Sequence, residues 1–508
     1  MTTSNFYLHS ANTARTIDNC ATNTLHIPSL ILMEHAAIEC ANFIIEHSHC
    51  EDTICIVCGP GNNGGDGLAL ARILQNADLN YKIFCYCPKK KYMSDCEKIQ
   101  FDIIKQLKIP YTHIADEFIL HMESSQIIVD ALFGNGLSRN IDGEYMRIID
   151  ACNNLSCKKI SIDIPSGIHA TTGCLLGCAF NADFTISLDC FKFGQWIRDG
   201  KKYCGKTICV DIGIPKILHE NVLDPAIFLN KDFVRSIFPY RSLNSHKGSF
   251  GKALMIGGSA SMPGAISMAA KACYRSGIGT LTLMIPHCIG NLIASKFDFA
   301  MLLRGNSRNE TFDHSALYTL KNSISKFTHI SIGNGMQKNS VTEAMTDVVL
   351  HSNLPAIIDA DAIGYVGKHP EWLDRNVPTI LTPHIKEMSE LTHMPMEEIL
   401  EDPFECVHAF CLKHPDCVIV LKSSQTIIGQ NHKLFILNEP NDCLAKGGSG
   451  DLLCGIITGL FGQCQNALVA TICGVYVHSL AAKTSLDGAV FQPDDLLNNL
   501  NNAFKSLR

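Results

Sequence analysis

Two successive trains of short β-branched runs, each alternating with helix-like segments, constrain this chain more than any other feature. In the first train, residues 53–58, 81–87, 127–131, 159–164, 183–188 and 207–212 read as strands. Between them, residues 68–75, 94–107 and 144–153 space their apolar side chains as helices do. Parallel neighbours need crossovers and helices supply them, so this rhythm predicts a layered, parallel α/β sheet. The pattern breaks between Pro215 and His246, with Pro225, Pro239 and the polar run Arg241-Ser242-Leu243-Asn244-Ser245. It resumes with strands at 253–256, 279–285, 329–332, 356–358, 379–381 and 417–421, and closes in helices at 450–460, 467–483 and 494–506. The expectation is two three-layer α/β domains, 1–228 and 229–508, and a length of 508 residues suits two large domains.

Charge narrows the partners. A formal net charge of −7 argues against the basic surface that nucleic acids require, so small ligands are expected. The 24 cysteines lie scattered in apolar runs, among them Cys55, Cys85, Cys209, Cys273 and Cys473. They read as reduced core residues, which places the chain in the cytoplasm. Met1 to Ser10 carries no basic flank followed by an apolar run, so no secretory signal is expected. The longest apolar stretch, 467–482, contains Thr471 and His478 and falls short of the roughly 20 residues of a spanning helix. It reads as a buried helix, and no membrane association is expected. A homo-oligomer is the expected assembly.

The run Gly59-Pro60-Gly61-Asn62-Asn63-Gly64-Gly65-Asp66-Gly67 leads from an apolar strand through a glycine-rich turn toward a helix expected near Leu68. Such a turn can offer bare backbone N–H groups and a helix N-terminus to a phosphate. It matches neither the dinucleotide fingerprint nor the P-loop. On glycines alone, a tight ligand-free turn would serve as well; the polar Asn62, Asn63 and Asp66 favour a ligand. Asp130 and Asp163 close two further strands, at the end where open α/β sheets bind ligands. Asn63, Asp130 and Ser166 offer hard oxygen donors, suited to an alkali or alkaline-earth cation rather than zinc. Taken singly, each aspartate serves equally well as a cap or turn former.

Asn62-Asn63-Gly64-Gly65-Asp66-Gly67, Asp130-Ala131-Leu132-Phe133-Gly134, Asp163-Ile164-Pro165-Ser166-Gly167 and Lys192-Phe193-Gly194 resemble, in order and spacing, the YjeF N-terminal family of NAD(P)H-hydrate epimerases. The resemblance spans about residues 10–215 and implies a Rossmann-like domain. It implies that Asn62, Asn63, Gly64, Gly65 and Asp66, the loop Gly134, Asn135, Gly136, Leu137, Ser138, Arg139 and Asn140, and Asp163 contact the hydrated dinucleotide. It further implies that Asn63, Asp130 and Ser166 hold K⁺. Exchanging the R and S hydrates requires a proton to move and C6 of the ring to become planar. Asp163 is the candidate for the proton work, with Lys192 positioning or neutralising it.

In the second half, Lys446-Gly447-Gly448-Ser449-Gly450-Asp451 sets a glycine-rich turn before a helix with an aspartate at its start. Turn amides can stabilise transferring phosphoryl oxygens while Asp451 takes a proton from an attacking hydroxyl. Gly257-Gly258-Ser259, Asp359-Ala360-Asp361-Ala362, Thr382-Pro383-His384 and Lys422-Ser423-Ser424-Gln425-Thr426 each follow an expected strand. Together these motifs resemble the ribokinase-like superfamily, in its ADP- or ATP-dependent NAD(P)H-hydrate dehydratase branch, over about residues 230–505. The resemblance implies that Ala265, Gly335, His384 and Asp451 contact the hydrate, and that Lys422, Ser423, Ser424, Gln425, Thr426 and Gly450 contact ADP or ATP, with Mg²⁺ on the phosphates. Two positions depart from the pattern: Asn334 where proline is usual, and Lys386 where glycine is usual.

The implied function is bifunctional metabolite repair, with an epimerase supplying a dehydratase specific for the S epimer. The competing readings are a small-molecule kinase for a vitamin precursor or sugar in the second half, and a non-catalytic binding module in the first. Cys55 and Cys58 lie three apart on a strand, on opposite faces, which argues against a redox pair or zinc site.

Overall fold

The computed structural model describes residues 7–77, 79–223, 225–483 and 487–508, and it forms two compact units, Phe6–Pro225 and Ala226–Arg508. Residues 1–6, the start of the segment read for a secretory signal, lie outside the described part. The division falls three residues before the expected boundary at 228/229. Ala226–Phe228 forms a strand beside Lys433–Leu437 and so belongs to the second unit.

In the first unit, seven parallel strands run in the order Tyr111–Thr112, Lys82–Tyr86, Thr53–Cys58, Ile127–Ala131, Lys158–Ile162, Phe184–Leu188 and Lys206–Val210. The order turns back between Thr53–Cys58 and Ile127–Ala131, so their carboxyl ends flank a crevice suited to a ligand. One face is covered by helices Ser29–Glu46, Asn62–Gln75 and Asp95–Gln106, the other by Ala115–Met122 and Gly143–Asn153, each with its own apolar cluster. A second strand pair, Tyr7–His9 beside Phe191–Lys192, sets His9 in register with Lys192.

The second unit extends Met301–Gly305, Thr280–Pro286, Lys252–Ile256, His329–Ile332, Ala356–Ile358, Thr379–Leu381 and Cys417–Leu421 as a parallel sheet. It continues antiparallel through Thr426–Gln430 and Lys433–Leu437. Helices Pro263–Arg275, Ser449–Cys464, Ala467–Ala482 and Pro493–Leu507 pack together over one face. The first two approach so closely that a Cβ on Gly455 would stand 2.1 Å from Ala269 O. Among the described residues no helix is long and apolar enough to cross a membrane, and Ala467–Ala482 is buried in the core as expected. All 24 cysteines are free.

Candidate active sites

The first glycine-rich turn is shorter than the sequence suggests. The helix begins at Asn62, not near Leu68, directly after Gly61 in a positive-φ conformation (129°). Gly64, in the first turn of this helix, has no room for a side chain because a Cβ there would stand 1.8 Å from Gly59 O, and Gly65 faces the Met33 side chain. These glycines let the helix start press onto the strand end. The resulting cavity, about 560 Å³, is lined by Asn62, Asn63, Asp66, residues 134–139, Asp163 and Lys192. Gly64, Gly65 and Asn140 are not on its wall. The first two face protein, while Asn140 is exposed beyond the loop, next to Ile141, whose N–H is tied to Leu176 O at 3.0 Å.

Asp163 follows the strand Lys158–Ile162 in a left-handed conformation (φ 69°). One carboxylate oxygen bonds the Lys192 ammonium and the other accepts from Asn135 N–H at 3.0 Å. The pair is almost fully buried (side chains 9% and 2% exposed), so Lys192 is no surface ion pair. Burial alone would drive Lys192 toward neutrality; Asp163 outweighs it and holds the ammonium charged. Lys192 Nζ is also tied to Leu188 O and Cys190 O, at 2.8 and 2.9 Å. Two carboxylates that the sequence did not single out, Asp18 and Asp189, line the same cavity. Burial, reinforced by the Asp189 charge, pushes Asp18 up to about 6; burial, with Asp163 and Asp18, raises Asp66 well above the usual carboxylate range.

The three residues expected to hold K⁺ differ in readiness. Asn63 is half-buried, but both polar atoms of its carboxamide are buried and neither has a hydrogen-bond partner among the described residues, which leaves them available to a ligand. Asp130 and Ser166 are joined, Ser166 Oγ donating to Asp130 Oδ1 at 2.6 Å. Asp130 also accepts from Leu132 N, Ser166 N and Ser161 Oγ, so its four lone-pair positions are filled. A potassium ion fits Asn63 as found and fits Asp130 in exchange for one of those bonds.

In the second unit, four strand ends converge. Asn334 follows His329–Ile332, Asp359 follows Ala356–Ile358, Thr382 and His384 follow Thr379–Leu381, and Lys422 follows Cys417–Leu421. The buried Asn334 donates from Nδ2 to Asp451 Oδ1 (2.8 Å) and to Asp359 Oδ2 (2.9 Å). Asp359 Oδ1 accepts from Thr382 Oγ1 (2.7 Å) and Lys422 Nζ (3.0 Å). Lys422 therefore turns inward, where it is also the nearest atom to a Cβ built on Gly450, at 3.3 Å. Asp451 lies in the first turn of Ser449–Cys464, after the left-handed Gly448 (φ 93°). Burial and the Asp359 charge push Asp451 up to about 6, opposed by the Asn334 bond and Lys422.

Leu452 N–H bonds Gly448 O, so the amides of Gly450 and Asp451 open the helix N-terminus, an anion-accepting end. Behind it, buried His478 is driven down to about 4 and is neutral near pH 7; its Nε2–H donates to Ser449 O at 3.0 Å. Ala265 and Gly335 adjoin, a Cβ on Gly335 falling 2.9 Å from that of Ala265. His384 caps Ile385–Thr392, its Nδ1 accepting from Glu387 N at 3.1 Å. Ser423 and Ser424 are exposed in the turn before Thr426, and Gln425 Nε2 donates to Asn438 Oδ1 at 3.0 Å.

Fold and sites define a two-unit α/β enzyme, one unit with a carboxylate-rich cavity and the other with an anion-accepting helix start beside a half-buried carboxylate. Two family models match: YjeF-related protein N-terminus over residues 29–194, and NAD(P)H-hydrate dehydratase over residues 253–502. The chain is 30% identical to the bifunctional NAD(P)H-hydrate repair enzyme Nnr of Moorella thermoacetica, over 94% of this chain and 92% of that protein. It is 31% identical to the Nnr of Dictyoglomus turgidum, over 90% and 89%. A crystal structure of the ADP/ATP-dependent NAD(P)H-hydrate dehydratase of Bacillus subtilis, with ATP and Mg²⁺, is similar at 28% identity, covering 55% of this chain and 98% of that one with a TM-score of 0.47. The chain belongs to the family of bifunctional NAD(P)H-hydrate repair enzymes.

Proposed function

We propose that the unit Phe6–Pro225 exchanges the R and S hydrates of NADH or NADPH, and that Ala226–Arg508 dehydrates the S epimer at the expense of ADP or ATP. One observation carries the second half: Asp451, a base half-ionised near pH 6, stands at the anion-accepting start of its helix. Asp451 takes the proton from the ring hydroxyl as the hydroxyl oxygen bonds to the terminal phosphorus and the bridging oxygen of the nucleotide leaves. The amides of Gly450 and Asp451 face the transferring phosphoryl oxygens, where charge builds. Phosphate then departs with the C6–O electrons and C5 loses a proton, restoring the ring double bond. Asn334 holds Asp451 toward Asp359, and Lys422 balances the two carboxylates. Ala265, Gly335 and His384 bound the hydrate, and residues 422–426 the nucleotide.

Mg²⁺ would ride on the hard phosphate oxygens of the nucleotide, where it shields charge. K⁺ would be held by Asn63, Asp130 and Ser166 and would steady the loop 134–139. In the first unit, Asp163 exchanges the proton with the hydrate while Lys192 fixes its orientation. A reducing compartment such as the cytoplasm suits 24 free cysteines, and a homo-oligomer remains our reading of the assembly.

Incubating pure S hydrate with ADP and Mg²⁺ tests the reaction class. Inorganic phosphate appearing one for one with reduced cofactor supports dehydration, whereas accumulation of a stable phosphorylated product with no return of reduced-nicotinamide absorbance refutes it in favour of a kinase.

A further inference from the structure

Asp163 and Asp189 are built alike. Each is the first residue after one of two adjacent parallel strands, Lys158–Ile162 and Phe184–Leu188. Both hold left-handed backbone conformations (φ 69° and 66°), which non-glycine residues adopt at a cost, and both line the same cavity. Each also has a buried base behind it: Asp163 has Lys192, and Asp189 has His219, with Nε2 at 3.3 Å from Asp189 Oδ2. His219 Nδ1 is in turn 3.1 Å from His9 Nε2. The Tyr7 ring stacks on His219 with centroids 4.6 Å apart and planes 7° from parallel, fixing the imidazole.

The tautomers follow from this chain. Burial, with the neighbouring His219 and Lys192, drives His9 down to about 3, so it is neutral. With Asp189 ionised, His219 donates from Nε2 and its Nδ1 accepts the Nε2–H of His9. The strand pairing that aligns His9 with Lys192 ties the two arms together. A structural ion pair would need neither a second buried histidine nor a left-handed residue on a cavity wall.

Epimer exchange has a use for two such groups. The hydroxyl takes a proton from a carboxylic acid and leaves C6 as water, while the lone pair of the adjacent ring nitrogen forms a C6=N bond and flattens C6. Water adds to the opposite face, a new C6–O bond forms, the C6=N pair returns to nitrogen, and the surplus proton passes to a carboxylate. One proton is supplied and one recovered, each on its own face of the ring. We propose that Asp189 is the second acid–base group of this pocket, serving the face of C6 that Asp163 does not, with His219 and His9 as its positioning residues. The proposal rests on the epimerase reading of the first unit. The charged and titratable groups around Asp189 are Asp18, Asp163, Lys192, His219, Cys190 and Cys209.

The test uses the full chain and pure S hydrate without nucleotide, following appearance of the R epimer by chromatography from pH 5 to 9. An unchanged thermal melt of the first unit serves as the folding control, and dehydration of S hydrate by the same preparation normalises the amount of chain. Asp189→Asn is expected to lower kcat for exchange at least about 100-fold with little change in KM. His219→Gln and His9→Asn are expected to move one limb of the pH profile while dehydration stays normal. Exchange by Asp189→Asn within about three-fold of wild type would overturn the assignment. Should that variant not accumulate folded, the His219→Gln profile decides, an unshifted profile overturning it equally. Loss of exchange in Asp163→Asn but not Asp189→Asn refutes this inference alone, and wild-type exchange in both refutes the epimerase pocket itself.

Discussion

Replacing Asn334 with alanine removes one amide that serves two carboxylates, the buried Asp359 and the half-buried Asp451. The bond from Asn334 Nδ2 to Asp451 is 2.8 Å long, and it opposes the burial and Asp359 charge that already raise Asp451 to about 6. A hydrogen bond to a charged group contributes about 1.5–3 kcal/mol. At 1.36 kcal/mol per pH unit, its loss moves the half-ionisation of Asp451 upward by roughly one to two units, to between about 7 and 8. At pH 6.5 the ionised fraction, and the dehydration rate with it, then falls between about three-fold and about 25-fold, whereas near pH 8.5 most of the rate returns. The assay is the initial rate of recovery of reduced-nicotinamide absorbance from S hydrate at saturating ADP and Mg²⁺, from pH 5.5 to 9. An unchanged thermal melt of the second unit reports that the variant is folded, and epimer exchange by the same chain normalises the amount of protein. A loss equal at every pH, or a rising limb left near pH 6, would refute the argument that Asn334 sets the proton affinity of the base.

Three further outcomes follow from the geometry. Lys192→Met leaves Asp163 buried without its cation, and breaking a buried pair costs about 3–5 kcal/mol, so calorimetry should show a lower Tm for the first unit and epimer exchange should vanish while dehydration persists. His478 is driven from 6.5 to about 4 by burial, so the unfolded chain binds the extra proton first; stability from this group is full above pH 6.5 and lost as pH falls toward 4. His478→Gln should flatten that acid slope in urea unfolding monitored at several pH values. Asn63→Leu removes the unpartnered carboxamide, and epimer exchange by this variant should no longer respond to replacing Na⁺ with K⁺, whereas wild type responds.

The buried strands were legible because each is a short apolar run rich in β-branched residues; Ile127–Ala131, His329–Ile332 and Cys417–Leu421 fall where the pattern puts them. Polar and short elements were not. The Thr426–Gln430/Lys433–Leu437 hairpin turns through Gln430, Asn431 and His432, and the Tyr7–His9 strand has three residues whose only signal is a partner some 180 positions away. The helix start at Asn62 was hidden by glycines with poor intrinsic helix propensity, chosen there for close packing. Local motifs exposed the loops around Asp163 and Asp451. They could not expose Asn334 as the residue that grips Asp451 from 117 positions away, nor Asp189, whose partners His219 and His9 are brought to it only by the fold. Left-handed backbone at a strand end leaves no trace in composition, and that is where Asp163 and Asp189 both sit.

The most direct test of two coupled activities on one chain is recovery of reduced cofactor from an equilibrium mixture of R and S hydrates with ADP, Mg²⁺ and K⁺. Wild type should convert the mixture completely, Asp163→Asn should stop promptly at the S share, and Asp451→Asn should recover nothing. Complete conversion by Asp451→Asn in folded protein would contradict the account.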